Sequence, residues 1–159
     1  MTDLSHVNHA GEASMVDVSA KPATVRAARA EGRIRMSAPT LAAIRDNALA
    51  KGDVLAVARI AGIQAAKATA SLIPLCHPLP LADVQVRFEF DDALPGVRCE
   101  AETRTVAATG VEMEAITAVT IALVTIYDMA KSIDKAMQID GVRLLEKSGG
   151  KSGHWRAPA

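Results

Sequence analysis

Aromatic residues are scarce in this chain. Phe88, Phe90, Tyr127 and Trp155 make up 3% of 159 residues, of which 50% are hydrophobic. A chain of this length can bury one real core, and that core must be built from Ala, Val, Ile and Leu. Cysteine is nearly absent: Cys76 and Cys99 give no disulfide framework, and reduced thiols are expected. There is no CxxC, no HxxxH and no second Cys-His cluster beside Cys76-His77, so no metal site is expected. Charge of one sign is not in excess, with 18 basic and 18 acidic residues. That excludes bulk binding to nucleic acid or to an anionic membrane, while leaving room for one local basic pocket. The N-terminus has no apolar signal core. Arg59, Lys67, Glu114 and Asp128 interrupt the best candidates for the ~20 apolar residues of a spanning helix. These absences together predict a cytoplasmic protein.

What is present predicts a mobile polar arm over residues 1–14, holding His6 and His9, and a single domain over 15–159. Thr24 to Met36 mixes helix-favouring Ala and Arg with Ile34-Arg35-Met36, and is read as a strand. Ser37 and Pro39 open a helix expected to reach about Leu49. Asp53 caps a second, with Leu55, Ile60 and Ile63 on its apolar face, closed by Pro74 at about Ile73. Leu75 to Leu81 carries two prolines and is extended. Val84, Val86, Phe88 and Phe90 alternate with polar residues. After the Leu94-Pro95-Gly96 turn, Val97, Cys99, Ala101 and Thr103 do the same, which makes an antiparallel hairpin. A long helix is expected over Glu112–Lys135, followed by a strand at Val142–Glu146. Ala115 to Tyr127 is uncharged on every side, so this helix should be covered all round, a subunit interface completing the cover. The order strand, two helices, hairpin, long helix, strand predicts an α+β fold with a mostly antiparallel sheet and helices on one face.

Chemistry-bearing residues bracket the long helix. Asp128 and Lys131, at i and i+3, share a helix face. A neighbouring ammonium lowers a carboxylate's pKa, and partial burial is expected to pull the lysine's down toward a proton-transfer range. The plainer reading is a surface ion pair. Glu112 and Glu114 open the helix and point in different directions, and helix-dipole stabilisation alone accounts for both. Asp128 lies about 21 Å beyond Glu114 along a continuous helix, so one chain cannot bring both to the same atom. Either they contact opposite ends of a long substrate or a second subunit contributes one of them. His77 is fixed near two prolines as a hydrogen-bonding or acid-base group, or as a structural turn histidine. Lys147-Ser-Gly-Gly-Lys-Ser-Gly153 can cradle phosphate or serve as a flexible tail. It is not a Walker A loop, because Leu145 stands where that motif needs Gly. Lys51-Gly52-Asp53 is a helix cap or a further phosphate contact. Together the residues suggest a catalyst for a phosphorylated substrate.

Several blocks in order now carry a resemblance. Met15–Lys21 (MVDVSAK), Lys51–Asp53 (KGD), Ala58–Lys67 (ARIAGIQAAK), Leu72–Leu79 (LIPLCHPL), Thr109–Glu114 (TGVEME), Tyr127–Met129 (YDM) and Lys147–Gly153 (KSGGKSG) are similar to the cyclic pyranopterin monophosphate synthases, the MoaC family of molybdenum cofactor biosynthesis. The resemblance spans about residues 4 to 155. It implies a ferredoxin-like fold assembled as a homo-oligomer, a homohexamer built from dimers, with active sites at the dimer interface. It implies a lyase acting on 3′,8-cyclo-7,8-dihydroguanosine triphosphate, which a radical SAM partner enzyme makes from GTP. The products would be cyclic pyranopterin monophosphate and pyrophosphate. Residue by residue, it places catalysis on Asp128 and Lys131, with Glu114 and His77 in further proton transfers. Substrate contacts fall on Leu75, Cys76, His77, Met113, Glu114 and Glu112, and triphosphate contacts on Lys51, Lys67, Lys147 and Arg26. No resident cofactor is implied, although a divalent metal can accompany the triphosphate. Ala68 and Ala130 depart from the family's frequent Arg and Cys at those places. A non-catalytic pterin- or nucleotide-binding protein is the alternative. It would keep the phosphate lysines and tolerate loss of Asp128 and Lys131.

Overall fold

The computed structural model describes residues 7, 10–151 and 153–158. His6 and His9, with most of the expected arm, lie outside the described residues, as does Ser152.

The central strand is β1, Thr24–Arg35. Its alternation explains the strand: Ala28, Ala30, Gly32 and Ile34 are buried, whereas Arg29, Glu31, Arg33 and Arg35 face the other way. The outward cations are paired with carboxylates of neighbouring strands, Arg29 with Glu100 and Glu146 and Arg35 with Asp140. The hairpin strands are β2, Leu81–Asp91, and β3, Gly96–Ala107, with Phe88 opposite Cys99. The last long strand, β4, covers Gln138–Ser148, well beyond the expected Val142–Glu146, because it pairs with β1 along most of that strand through two register shifts. A short β5, Trp155–Arg156, was not legible in the sequence. All pairings are antiparallel, in the order β2-β3-β1-β4-β5.

Three helices end earlier than expected or break, each for a local reason. The first, α1, covers Ala38–Arg45 with Ser37 as cap. It stops before Leu49 because Asn47 turns left-handed at φ 53° and the Ala48 amide bonds back to the Ala43 carbonyl. The second, α2, covers Val54–Lys67, and the Asp53 carboxylate accepts the Ala56 amide at 2.9 Å. Ala68 leaves helical geometry, so the expected run to Ile73 becomes a separate turn, α3, Thr69–Leu72. The long helix, α4, covers Glu112–Ala130 and stops short of Lys135. Asp134 draws the chain away toward α1, where its carboxylate accepts the Ser37 amide at 2.9 Å and the Thr40 hydroxyl at 3.2 Å.

Among the described residues α4 is the one helix long and apolar enough, by length and composition, to cross a membrane. Here it is the core helix. It lies across β1, β3 and β4 and against α2, and ten of its 19 residues are buried by the chain itself. Two glycines allow the close approach. A Cβ on Gly32 would stand 2.9 Å from Leu123, Val119 and Val142, and one on Gly62 of α2 would stand 3.0 Å from the Ala118 carbonyl. Val124, and Val57 and Ile60 of α2, remain exposed. Leu123 is fully buried under this contact. Leu123→Ala is expected to cost about 2–5 kcal/mol of unfolding free energy. Chemical denaturation would measure it, and a cost below 1 kcal/mol would mean the site collapses around the deletion.

Candidate active site

The two packed helices run antiparallel, since Lys51 before α2 meets Asp128 near the end of α4 while Gly62 packs at Ala118 and Ala122. The expected site residues therefore fall into two groups, one at each end of α4.

At the C-terminal end, the Asp128 carboxylate lies between two ammonium groups, 2.7 Å from Lys131 and 3.1 Å from Lys51. Lys51 also donates to the Asp128 carbonyl at 2.8 Å, capping the helix end where the dipole favours a cation. The side chains of Asp128 and Lys131 are 57% and 52% exposed. The hydrogen bond from Lys131 is the main cause holding the Asp128 carboxyl below its usual range, with Lys51 second. The same bond raises Lys131. The expectation that burial lowers the lysine is thus corrected: in the single chain its ammonium is exposed and salt-bridged, so it is stabilised as a cation.

At the N-terminal end, Glu112 and Glu114 diverge as expected. Glu112 accepts from Lys147 of β4 at 2.7 Å. Glu114 is buried, and desolvation, aided by Glu112, pushes its carboxyl up. The Cys76 thiol is also raised, mainly by burial and further by the Glu114 charge. It is a weak nucleophile as a result. His77 Nε2 lies 2.8 Å from the Val16 carbonyl, so that nitrogen carries the proton it donates. Leu75 closes the turn after α3, and it and Met113 are half-buried. Lys67 stands exposed at the end of α2, on the side of the fold where α4 begins.

Beside Glu112 opens a cleft of about 480 Å³. Arg26, Lys147 and Lys151 line it, and so do Lys21 and Thr109, neither of which had a role in the sequence reading. Their only signal was membership of blocks that carry the resemblance, because it takes the pairing of β1 with β3 to bring them together and of β1 with β4 to add Lys147 and Lys151. Glu112 answers one of the four cations, so the cleft is strongly basic. Among the described residues no three His, Cys, Asp or Glu side chains converge as a metal site would require.

The raised carboxyl of Glu114 has a testable effect on stability. The native state holds this proton more tightly than the unfolded chain, so stability is full at low pH and falls as pH rises from the ordinary carboxylate range through the raised value. Glu114→Gln is expected to melt a few degrees above the parent at neutral pH and level with it in acid. A gap that does not depend on pH would remove ionisation as its cause.

Residues 15–150 match the model of the MoaC family. The chain is 56% identical over 159 residues, the whole of both chains, to a cyclic pyranopterin monophosphate synthase of Cereibacter sphaeroides. It is 58% identical over 157 residues, 99% of this chain and 98% of the relative, to a cyclic pyranopterin monophosphate synthase of Methylobacterium sp. (strain 4-46).

Proposed function

Because this chain belongs to the MoaC family, we propose that it is a cyclic pyranopterin monophosphate synthase of molybdenum cofactor biosynthesis, a lyase whose catalytic domain spans 15–159. Its substrate is then 3′,8-cyclo-7,8-dihydroguanosine triphosphate, supplied from GTP by a radical SAM partner. The observation that carries this reading is the basic cleft of Arg26, Lys21, Lys147 and Lys151, which suits a triphosphate and then pyrophosphate. A ribose-derived hydroxyl attacks the innermost phosphorus, the bond to the outer two phosphates breaks, and pyrophosphate leaves. Fixed cations stabilise the charge that develops on it. Lys51 and Lys67 add to these from the other end of α4 and from the end of α2.

The ring rearrangement needs proton transfers at several atoms. Lys131 is the central donor, Asp128 sets its charge and position, and Glu114 and His77 serve the remaining transfers. Leu75, Cys76, Met113 and Glu112 shape the pterin side. Glu112 and Asp128 lie about 24 Å apart along α4, and of the two ways to join them, a long substrate or a second copy, a second copy brings the two groups together. Exposed Val57, Ile60 and Val124 on α2 and α4 support such contact, and the homohexamer built from dimers is what the resemblance to the family implies. The ferredoxin-like reading is supported by the β-α-β-β-α-β succession and by the order β2-β3-β1-β4. The protein acts in the cytoplasm with no resident cofactor, and a divalent cation can accompany the triphosphate. It needs neither nucleic acid nor membrane.

The test is incubation of the purified protein with the cyclised dihydro-GTP, following pyrophosphate and pterin product together. Equal release of both is expected. Binding without release of either would replace the synthase with a non-catalytic binder.

A further inference from the structure

We propose that Gly150 is a positioning residue: the Gly149–Gly150 turn is a seat that fixes the Arg26 guanidinium as a phosphoryl receptor in the basic cleft. The inference rests on the phosphorylated-substrate reading above and adds a role for the glycines that differs from cradling phosphate directly.

Three observations carry it. Gly149 and Gly150 are both left-handed, at φ 99° and 71°, a pair of conformations that only glycine adopts readily in succession. A Cβ on Gly150 would collide with Arg26 Nη1, Cζ and Nη2 together, so the peptide lies directly against the guanidinium. A Cβ on Gly149 would collide with the Val25 carbonyl, which holds the turn against β1. On the guanidinium's other contacts, Nη2 donates to the Ala108 carbonyl at 3.3 Å, and Nε is buried with no partner among the described residues. A buried charged donor without a partner is costly unless a ligand completes it. Lys21, Lys147 and Lys151 line the same cleft, so that ligand is an anion with several oxygens, which an arginine fork can engage through two parallel bonds. An arginine already held in place loses little freedom when the anion binds.

The two glycines differ as probes. A methyl on Gly149 meets backbone and threatens the fold, whereas a methyl on Gly150 meets the movable end of a side chain and displaces it. Gly153 offers a matched control. It is left-handed at φ 62°, it has open space around its Cβ position, and it does not line the cleft.

Calorimetric titration of the full chain with inorganic tripolyphosphate tests the seat. Gly150→Ala is expected to weaken binding about tenfold, Gly153→Ala by less than about twofold, and Gly150→Ala added to Arg26→Ala by less than about twofold again, as expected of residues acting through one another. In turnover, Gly150→Ala should raise KM with kcat nearly unchanged. A melting curve matching that of Gly153→Ala would show that the backbone strain is equal in the two variants. Equal weakening by Gly150→Ala with and without Arg26, or equal weakening by Gly153→Ala, would overturn the proposal. So would unchanged binding in Gly150→Ala while the wild type binds tripolyphosphate, and this outcome leaves the phosphate reading intact. No binding by the wild type would bring down the phosphate reading and the seat with it.

Discussion

Lys131→Ala is expected to lower turnover by about 10²–10⁴-fold, the usual contribution of one positioned proton donor. Asp128→Asn should lose at least about 10²-fold, and its pH profile distinguishes it from a merely structural defect. In the parent, the bond that Lys131 donates to Asp128 raises Lys131, so the lysine keeps its proton beyond its ordinary range. The alkaline limb of kcat should then lie high. Removing the carboxylate charge takes away that support and leaves Lys51 as an uncompensated neighbour, so the limb should move to lower pH in Asp128→Asn. On the acid side, Asp128 is held below the usual carboxylate range and stays ionised, so the pair should persist until pH falls beneath that range. The measurement is the pH dependence of kcat for the three proteins, with pyrophosphate as the readout. Full activity in both variants would refute the assignment, and an unshifted limb in Asp128→Asn would separate the two residues.

The direction of the Lys131 shift shows where sequence reasoning stops. The i,i+3 spacing made Asp128 and Lys131 neighbours, and they are in contact. Their exposure could not be read that way, since it depends on where α4 ends, and that is decided by Asp134 bonding to Ser37 and Thr40 on another helix. Lys51 joins the pair only because α2 and α4 pack antiparallel, a tertiary fact with no local trace. The elements themselves were more legible. Period-two burial made the hairpin plain and resolves β1, whose Ala and Arg content otherwise suggests helix. Boundaries failed where one residue decides them: Asn47 at α1, Ala68 between α2 and α3. β5 has two residues and shows no period at all. In the cleft, Lys147 was legible from its Gly-rich segment, and Arg26 was named from family resemblance. Lys21 was not, and the contact between Arg26 and Gly150 belongs to strand pairing alone.

Mixing two inactive proteins is expected to restore activity. The Lys51–Asp128–Lys131 cluster and the cleft of Arg26 and Lys147 lie at opposite ends of α4, and under the proposed dimeric arrangement a complete site takes one group from each of two chains. Asp128→Asn damages the first group and Lys147→Ala the second, and each protein alone should have little turnover. In a mixed pair related by a two-fold axis, one site receives both defects and the other receives neither. Random pairing makes half the dimers mixed, so co-refolded proteins should recover about a quarter of wild-type activity. The experiment dissociates the two variants together in denaturant, refolds them, and compares pyrophosphate release with that of the same variants refolded apart and then combined. If each site were built within one chain, every site in every pairing would carry a defect and no activity would return. Recovery near a quarter would place the carboxylate and the phosphate-binding lysine on different chains. Recovery of nothing, from dimers demonstrated to be mixed by a mass tag, would confine the site to one subunit and remove the need for a partner in the chemistry.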